Sequence, residues 1–271
     1  MSSDEQDRAE RSAEPLDLST IKATGRAKRT TSKKADDLNG KAKAHQRYYA
    51  AVLDADGAPV LDAKGAPKRV MVPGATTVLG VMNKGYLVPW ANRLGLEGID
   101  SDKYRNETAS IGTLAHYLVQ CDLTGETPNL EHYTPYQMER AAFAFVNWQE
   151  WRKGKEVVPS LVEGRLQSNN YRYGGTVDFY GTVDDAWTLL DFKTSEAIYL
   201  EHKVQVTSYT KLLIESARRV QKVIIIRLGR GVDDTLETHE LGLEAMKRYW
   251  QVFEHCLALY RLQKEIRGKG E

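Results

Sequence analysis

Two hydrophobic periods alternate along this chain, and the switches between them mark out its elements. In SIGTLAHYLVQCDL, Ile111, Leu114, Ala115, Leu118 and Val119 make an apolar stripe at helical spacing. His116 lies beside that stripe, with Gly112 one turn before it. The helical period returns in TPYQMERAAFAFVNWQEWRKGK, where Thr134 can cap the helix, Pro135 suits its first position and lysines close its last turn. EVVPSLVEGRLQSNN changes to strand character, and GGTVDFYGTVDDAWTLLDFKTS reads as two strands around a tight turn. LEHKVQVTSYTKLLIESARR is an amphipathic helix, and KVIIIRLG is a β-branched run of the kind buried on both faces of a sheet. An edge strand near Leu236 and a long helix from Leu243 complete the order. Upstream, short apolar runs broken by Asp-Gly and Gly-Ala-Pro turns predict two or three strands from Arg47 to Val72. TTVLGVMNKGYLVPWANRLG predicts two short helices around a loop. The fold class expected is α/β, a central mixed β-sheet flanked by helices with an N-terminal β and helical extension.

Composition adds limits. The 271 residues carry a net charge of +1, so global charge selects no partner, and no apolar run is long enough to span a bilayer. A cytoplasmic protein is expected. Cys121 and Cys256 are far apart in apolar helical contexts and read as small buried hydrophobes. Two cysteines cannot hold a four-cysteine zinc or iron–sulfur site. Residues 1–44 read as a disordered charged tail and 45–271 as a single domain. Within the tail, acids gather before residue 20 and bases between Lys22 and Lys43, so the basic stretch could add salt-dependent affinity for nucleic acid phosphates.

The hairpin poses a chemical question, because it sets acids among apolar residues. Folded on a two-residue turn at Asp184–Asp185, it pairs Val183 with Ala186 and brings Asp178 opposite Asp191. Their Cβ atoms would then be roughly 5 Å apart. Alternation puts Asp178, Asp191 and Lys193 on one face and Val177, Phe179, Leu190 and Phe192 on the other. Two close carboxylates repel unless a cation compensates them. Lys193 supplies one charge, and hard oxygen ligands favour a magnesium or manganese ion. A metal polarising a phosphoryl oxygen, with a lysine beside it, is suited to hydrolysing a phosphodiester. An Asp-x-Lys triplet alone is a weak signal, and a structural ion-pair network is the plain alternative.

These residues also carry a resemblance. GGTVDFYG, then LLDFKTS, then QVTSY resemble the motif series of the PD-(D/E)XK nuclease superfamily, in its RecB-like exonuclease branch. GTLAH resembles the upstream helical motif of that branch, and Glu163 in SLVEGRL its strand acid. VPGATTVLGVMNKGYLVPWANRLG looks like the N-terminal region of phage exonucleases and of the mitochondrial genome maintenance exonuclease. The resemblance spans roughly residues 70–230. It implies a restriction-endonuclease-like core and Mg2+ or Mn2+ held by His116, Asp178, Asp191 and the Phe192 carbonyl. It further implies catalysis by Asp178, Asp191 and Lys193 with Gln205 and Tyr209, which share a helical face. Glu163 is a further candidate site residue, with a surface pair to Arg165 as its plain alternative, and Thr194 and Ser195 are phosphate contacts or turn caps. The implied activity is a metal-dependent deoxyribonuclease, an exonuclease on free-ended or single-stranded DNA in phage or bacterial recombination, replication or repair. Its partners would be DNA and a helicase, single-strand-binding or recombination protein.

Two patterns are absent from the sequence. The four cysteines by which several members of the branch hold an iron–sulfur cluster are missing, as is a phosphate-binding loop, so neither cluster nor nucleotide is expected. A non-catalytic DNA-binding or assembly module on the same fold is the rival reading. Tyr86, Trp90, Tyr171 and Tyr173 fall in loop-like segments, available for stacking on bases or for packing. His132, His202, His239 and His255 read as structural.

Overall fold

A computed structural model describes residues 46–82 and 84–268. The proposed charged tail, 1–44, lies outside them. Among the described residues, seven strands and six helices follow the expected order. β1 (Tyr48–Ala51) and β2 (Arg69–Val72) form a two-stranded ribbon, followed by α1 (Ala75–Leu79) and α2 (Leu87–Leu96). α3 (Ser101–Thr124) and α4 (Pro135–Arg152) precede the main sheet of β3 (Val157–Ser168), β4 (Tyr173–Val183), β5 (Ala186–Lys193), β6 (Lys222–Arg227) and β7 (Glu237–Glu240). α5 (Leu200–Glu215) joins β5 to β6, and α6 (Leu243–Gly268) follows β7.

The five-stranded sheet runs β3-β4-β5-β6-β7 and is mixed: only the β5–β6 pair, bridged by α5, is parallel. Helices cover both faces. One apolar layer joins Leu189 and Ile225 to Val204, Leu212 and Leu213 of α5 and Phe253 of α6. The other joins Phe179, Leu190, Phe192 and Ile226 to Leu114 and Leu118 of α3 and Phe145 and Trp148 of α4. Ile225 and Ile226 fall in opposite layers, as the two-faced burial of KVIIIRLG requires. The fold is therefore α/β, a central mixed sheet flanked by helices.

Local signals hold at several ends. The Thr134 hydroxyl accepts from the Gln137 amide while the Gln137 side chain accepts from the Thr134 amide, with Pro135 at the first helical position. α3 starts ten residues before the apolar stripe, capped by the Asp100 carboxylate, which accepts from the amides of Asp102 and Lys103. The ribbon is fastened to the main sheet where the Gly174 amide donates to the Pro73 carbonyl, 2.9 Å. A Cβ on Gly174 would lie 2.3 Å from the Tyr48 ring, so only glycine admits that ring.

The hairpin has the expected register, from Val183↔Ala186 to Phe179↔Leu190. Asp184 and Asp185 both have positive φ, 48° and 62°, the backbone of a type I′ turn. One expectation needs correcting. Val177 packs with the α5–α6 layer, not with Phe179, Leu190 and Phe192. Val177 and Tyr180 share that layer although three residues apart, so the alternation of β4 inverts between them. The β4–β5 ladder ends at Phe179↔Leu190, and opposite Asp178 on β3 stands Glu163, at φ 49°. Asp178 thus sits at a kink rather than in a regular pleat. Tyr173 is likewise no loop aromatic: it is wholly buried on β4 and donates to the Ser208 carbonyl, 2.8 Å.

Candidate active site

The kink gathers groups from four elements. Asp178 Oδ2 accepts the Phe192 amide of β5 at 2.9 Å and lies 3.6 Å from Nδ1 of His116 on α3. The His116 ring stands edge-on to Phe192, which sets it on the sheet surface. One ligand atom each from His116, Glu163 and Asp178 lie within 4.8 Å of one another, all three half-buried. Asp191 falls outside this trio. Its carboxylate, 1% exposed, faces the Lys193 ammonium at 2.5 Å.

The two acids are driven apart electrostatically. Burial would raise Asp178, but His116, Lys193 and the Phe192 amide outweigh it and hold the carboxyl down at about 2. Burial lifts Asp191 to about 6, and the charge of Asp178 adds to the rise against the pull of Lys193. Two neighbouring acids with divergent proton affinities are a pattern of functional sites, though ion-pair networks make it too.

α5 forms one wall. Gln205 Nε2 donates to the Tyr209 hydroxyl at 3.0 Å and to Thr76 Oγ1 of α1 at 3.0 Å, so the two residues of QVTSY do share a face. Tyr209 is buried, and burial and the two acids raise its phenol well above the usual range, keeping its proton in place. Gly175 makes room for it, since a Cβ there would lie 2.5 Å from the Tyr209 ring. Gly112 does the same for α3 against β5, where a Cβ would lie 2.8 Å from Thr194 Oγ1. The glycines of GGT and GTLAH are therefore close-approach positions.

Ser195 donates to the Ala197 carbonyl at 2.8 Å and so serves its own turn. Two residues near the site lacked a motif. Thr76 fixes Gln205. His202, pushed down to about 4 by burial and by Lys193, accepts the Tyr199 amide on Nδ1 at 3.2 Å. Their positions follow from the folding of α1 and α5 over the sheet, which no local pattern announces. Tyr86 stacks on Tyr199 and donates to Glu201, and Tyr171 stands edge-on to Trp250, so both are committed to packing.

The trio offers one imidazole nitrogen and two carboxylate oxygens, a donor set that fits a hard divalent cation with a tolerance for nitrogen, such as magnesium or manganese. Cys121 and Cys256 are buried as free thiols. Among the described residues no helix is long and apolar enough to cross a membrane.

No family model and no curated protein matches the chain. Among solved structures, one similar chain is described as "Crystal structure of SSO0001". It is 15% identical with a TM-score of 0.25, over 54% of this chain and 73% of that one, a likeness too slight to assign fold or function.

Proposed function

We propose that the protein is a metal-dependent nuclease that hydrolyses phosphodiesters in DNA. The observation that carries this reading is the convergence of His116, Glu163 and Asp178 beside the Asp191–Lys193 pair, at a kink between two strands. His116, Glu163 and Asp178 would hold a magnesium or manganese ion, with Asp191 and the Phe192 carbonyl at its edge. Bound there, such an ion supplies Lewis acidity toward a phosphoryl oxygen and lowers the pKa of water.

The chain's own groups account for the rest. Lys193, held by Asp191, presents an ammonium to the attacking water or to the negative charge developing on phosphate. Tyr209, with its proton retained, and Gln205 form a hydrogen-bonding wall that positions Lys193 and the phosphate. Attack is direct, by water, with no covalent enzyme intermediate. The motif resemblance favours free-ended or single-stranded DNA, a phage or bacterial recombination, replication or repair setting in the cytoplasm, and a helicase, single-strand-binding or recombination partner.

End-labelled single- and double-stranded DNA, incubated with magnesium, with manganese and with chelator, tests this. Metal-dependent degradation that Asp191→Ala and Lys193→Ala nearly abolish is expected. Cutting that persists in both variants rules out the assigned site. DNA that binds but is never cut favours a binding or assembly module. Circular DNA in the same assay separates exonuclease from endonuclease.

A further inference from the structure

A concavity lies on the α3–α4 side of the sheet. It measures about 280 Å³ and is walled by Thr108 and Ile111 of α3, Tyr136 and Arg140 of α4, and Arg230 and Asp234 of the loop after β6. That is just under the roughly 300 Å³ at which small-molecule sites begin, room for one unit of a polymer rather than a large cofactor. Both walls lead to the candidate active site. β6 lies parallel to β5 with Arg227 paired to Lys193, and the Leu228 amide donates to the Lys193 carbonyl at 2.7 Å. Arg230 follows three residues beyond Arg227, a span of about 10 Å at most. On the other wall, Ile111 adjoins Gly112, which abuts Thr194. The pocket therefore opens at the carboxyl ends of the two parallel strands, where open α/β sheets bind their ligands.

Its lining favours an anion. Arg140 and Arg230 bring two guanidiniums, and Nε of each is buried without a hydrogen-bond partner among the described residues. Such donors are costly to leave unmade. Arg140 is held in place: Nη1 donates to the Arg230 carbonyl at 3.2 Å and the guanidinium lies over the Tyr136 ring. The acids at the pocket are already engaged. Asp234 pairs with Arg227 and accepts the Arg230 amide, and Glu107 accepts from Gln137. At the rim Tyr104, which meets Trp90 edge-on, and Tyr136, one face of which lies under the Arg140 guanidinium, are still 41% and 51% exposed, and unpaired bases stack on aromatic faces of this kind.

We infer that this pocket is a subsite for a single-stranded nucleic acid. Arg140 and Arg230 take a phosphate that flanks the one cleaved, and Tyr104 stacks on its base. The inference rests on the nuclease reading for the identity of the strand, but it is measured without cleavage. In chelator, a fluorescent single-stranded deoxyoligonucleotide is titrated with wild-type protein, with the Arg140→Gln/Arg230→Gln double variant and with Tyr104→Ala, at several salt concentrations. The double variant should bind about tenfold more weakly, as expected for lost charge-assisted contacts. Its salt dependence should be shallower by about one unit of slope. Because Arg140 braces the loop, Tyr104→Ala serves as the variant that leaves that brace intact. Its affinity should fall about fivefold or more, with the salt slope unchanged. Equal binding by all three proteins, or no binding by the wild type, overturns the subsite. Failure of metal-dependent cutting in the separate assay, with these binding differences present, overturns the nuclease reading and leaves the subsite standing.

Discussion

Glu163 faces Asp178 across the β3–β4 pair, between the rungs Val162↔Phe179 and Gly164↔Val177, and does so with its own backbone in the left-handed region at φ 49°. A non-glycine residue holds that conformation at a cost of roughly 1–2 kcal/mol. The strained residue is also one of the three that converge at the kink, which is where strain is commonly kept for function.

That relationship sets opposite expectations for two truncations. Glu163→Gly should be more stable to urea than Glu163→Ala by about 1 kcal/mol, because glycine adopts this backbone freely. Equal stability of the two variants would show that φ at this position carries no cost.

Ion binding can be read without turnover. Manganese at one hundred times its dissociation constant should stabilise the wild type by about 2.7 kcal/mol. Asp178→Asn, which keeps the shape but not the charge, should lose that stabilisation. An unchanged manganese-induced rise in melting temperature in this variant would remove Asp178 from the ligand set.

The glycine beside Tyr209 should be intolerant. Gly175→Ala forces a methyl against the ring at 2.5 Å and should cost about 1–3 kcal/mol. Gly112→Ala meets only the movable hydroxyl of Thr194 and should cost less. Thermal denaturation of both variants checks the order, and the reverse order would contradict the close approach of α5.

His202 makes stability depend on pH in a defined window. Folding lowers it from 6.5 to about 4, so between those values the unfolded chain holds more protons. Its contribution, on the order of 2 kcal/mol, is complete above pH 6.5 and is lost as pH falls toward 4. His202→Gln should flatten the loss of stability on acidification over that range. Denaturation curves with the same pH slope as wild type would count against a neutral, buried His202.

The hairpin was legible because a two-residue turn at Asp184–Asp185 fixes its register, and register follows from local geometry. The layer of Val177 was not, since pleat arithmetic assumes an unbroken alternation and β4 inverts beside Asp178. The first ten residues of α3 carry no apolar stripe because they face mostly solvent, and only the Asp100 cap betrays them. Gln205 and Tyr209 could be paired by helical spacing, whereas Thr76 reaches Gln205 from 129 residues away. Arg140 and Arg230 meet across 90 residues, and nothing near either one in sequence marks them.

The Asp184–Asp185 turn has a consequence in time. A hairpin closed by so short a loop forms in about 1–10 μs, so Asp178 and Asp191 can become neighbours early in folding. His116 must come from α3, across a chain separation that loop closure makes slow. The acids would then assemble first and wait for their histidine, and a chain caught midway would present two repelling carboxylates with no imidazole to steady them.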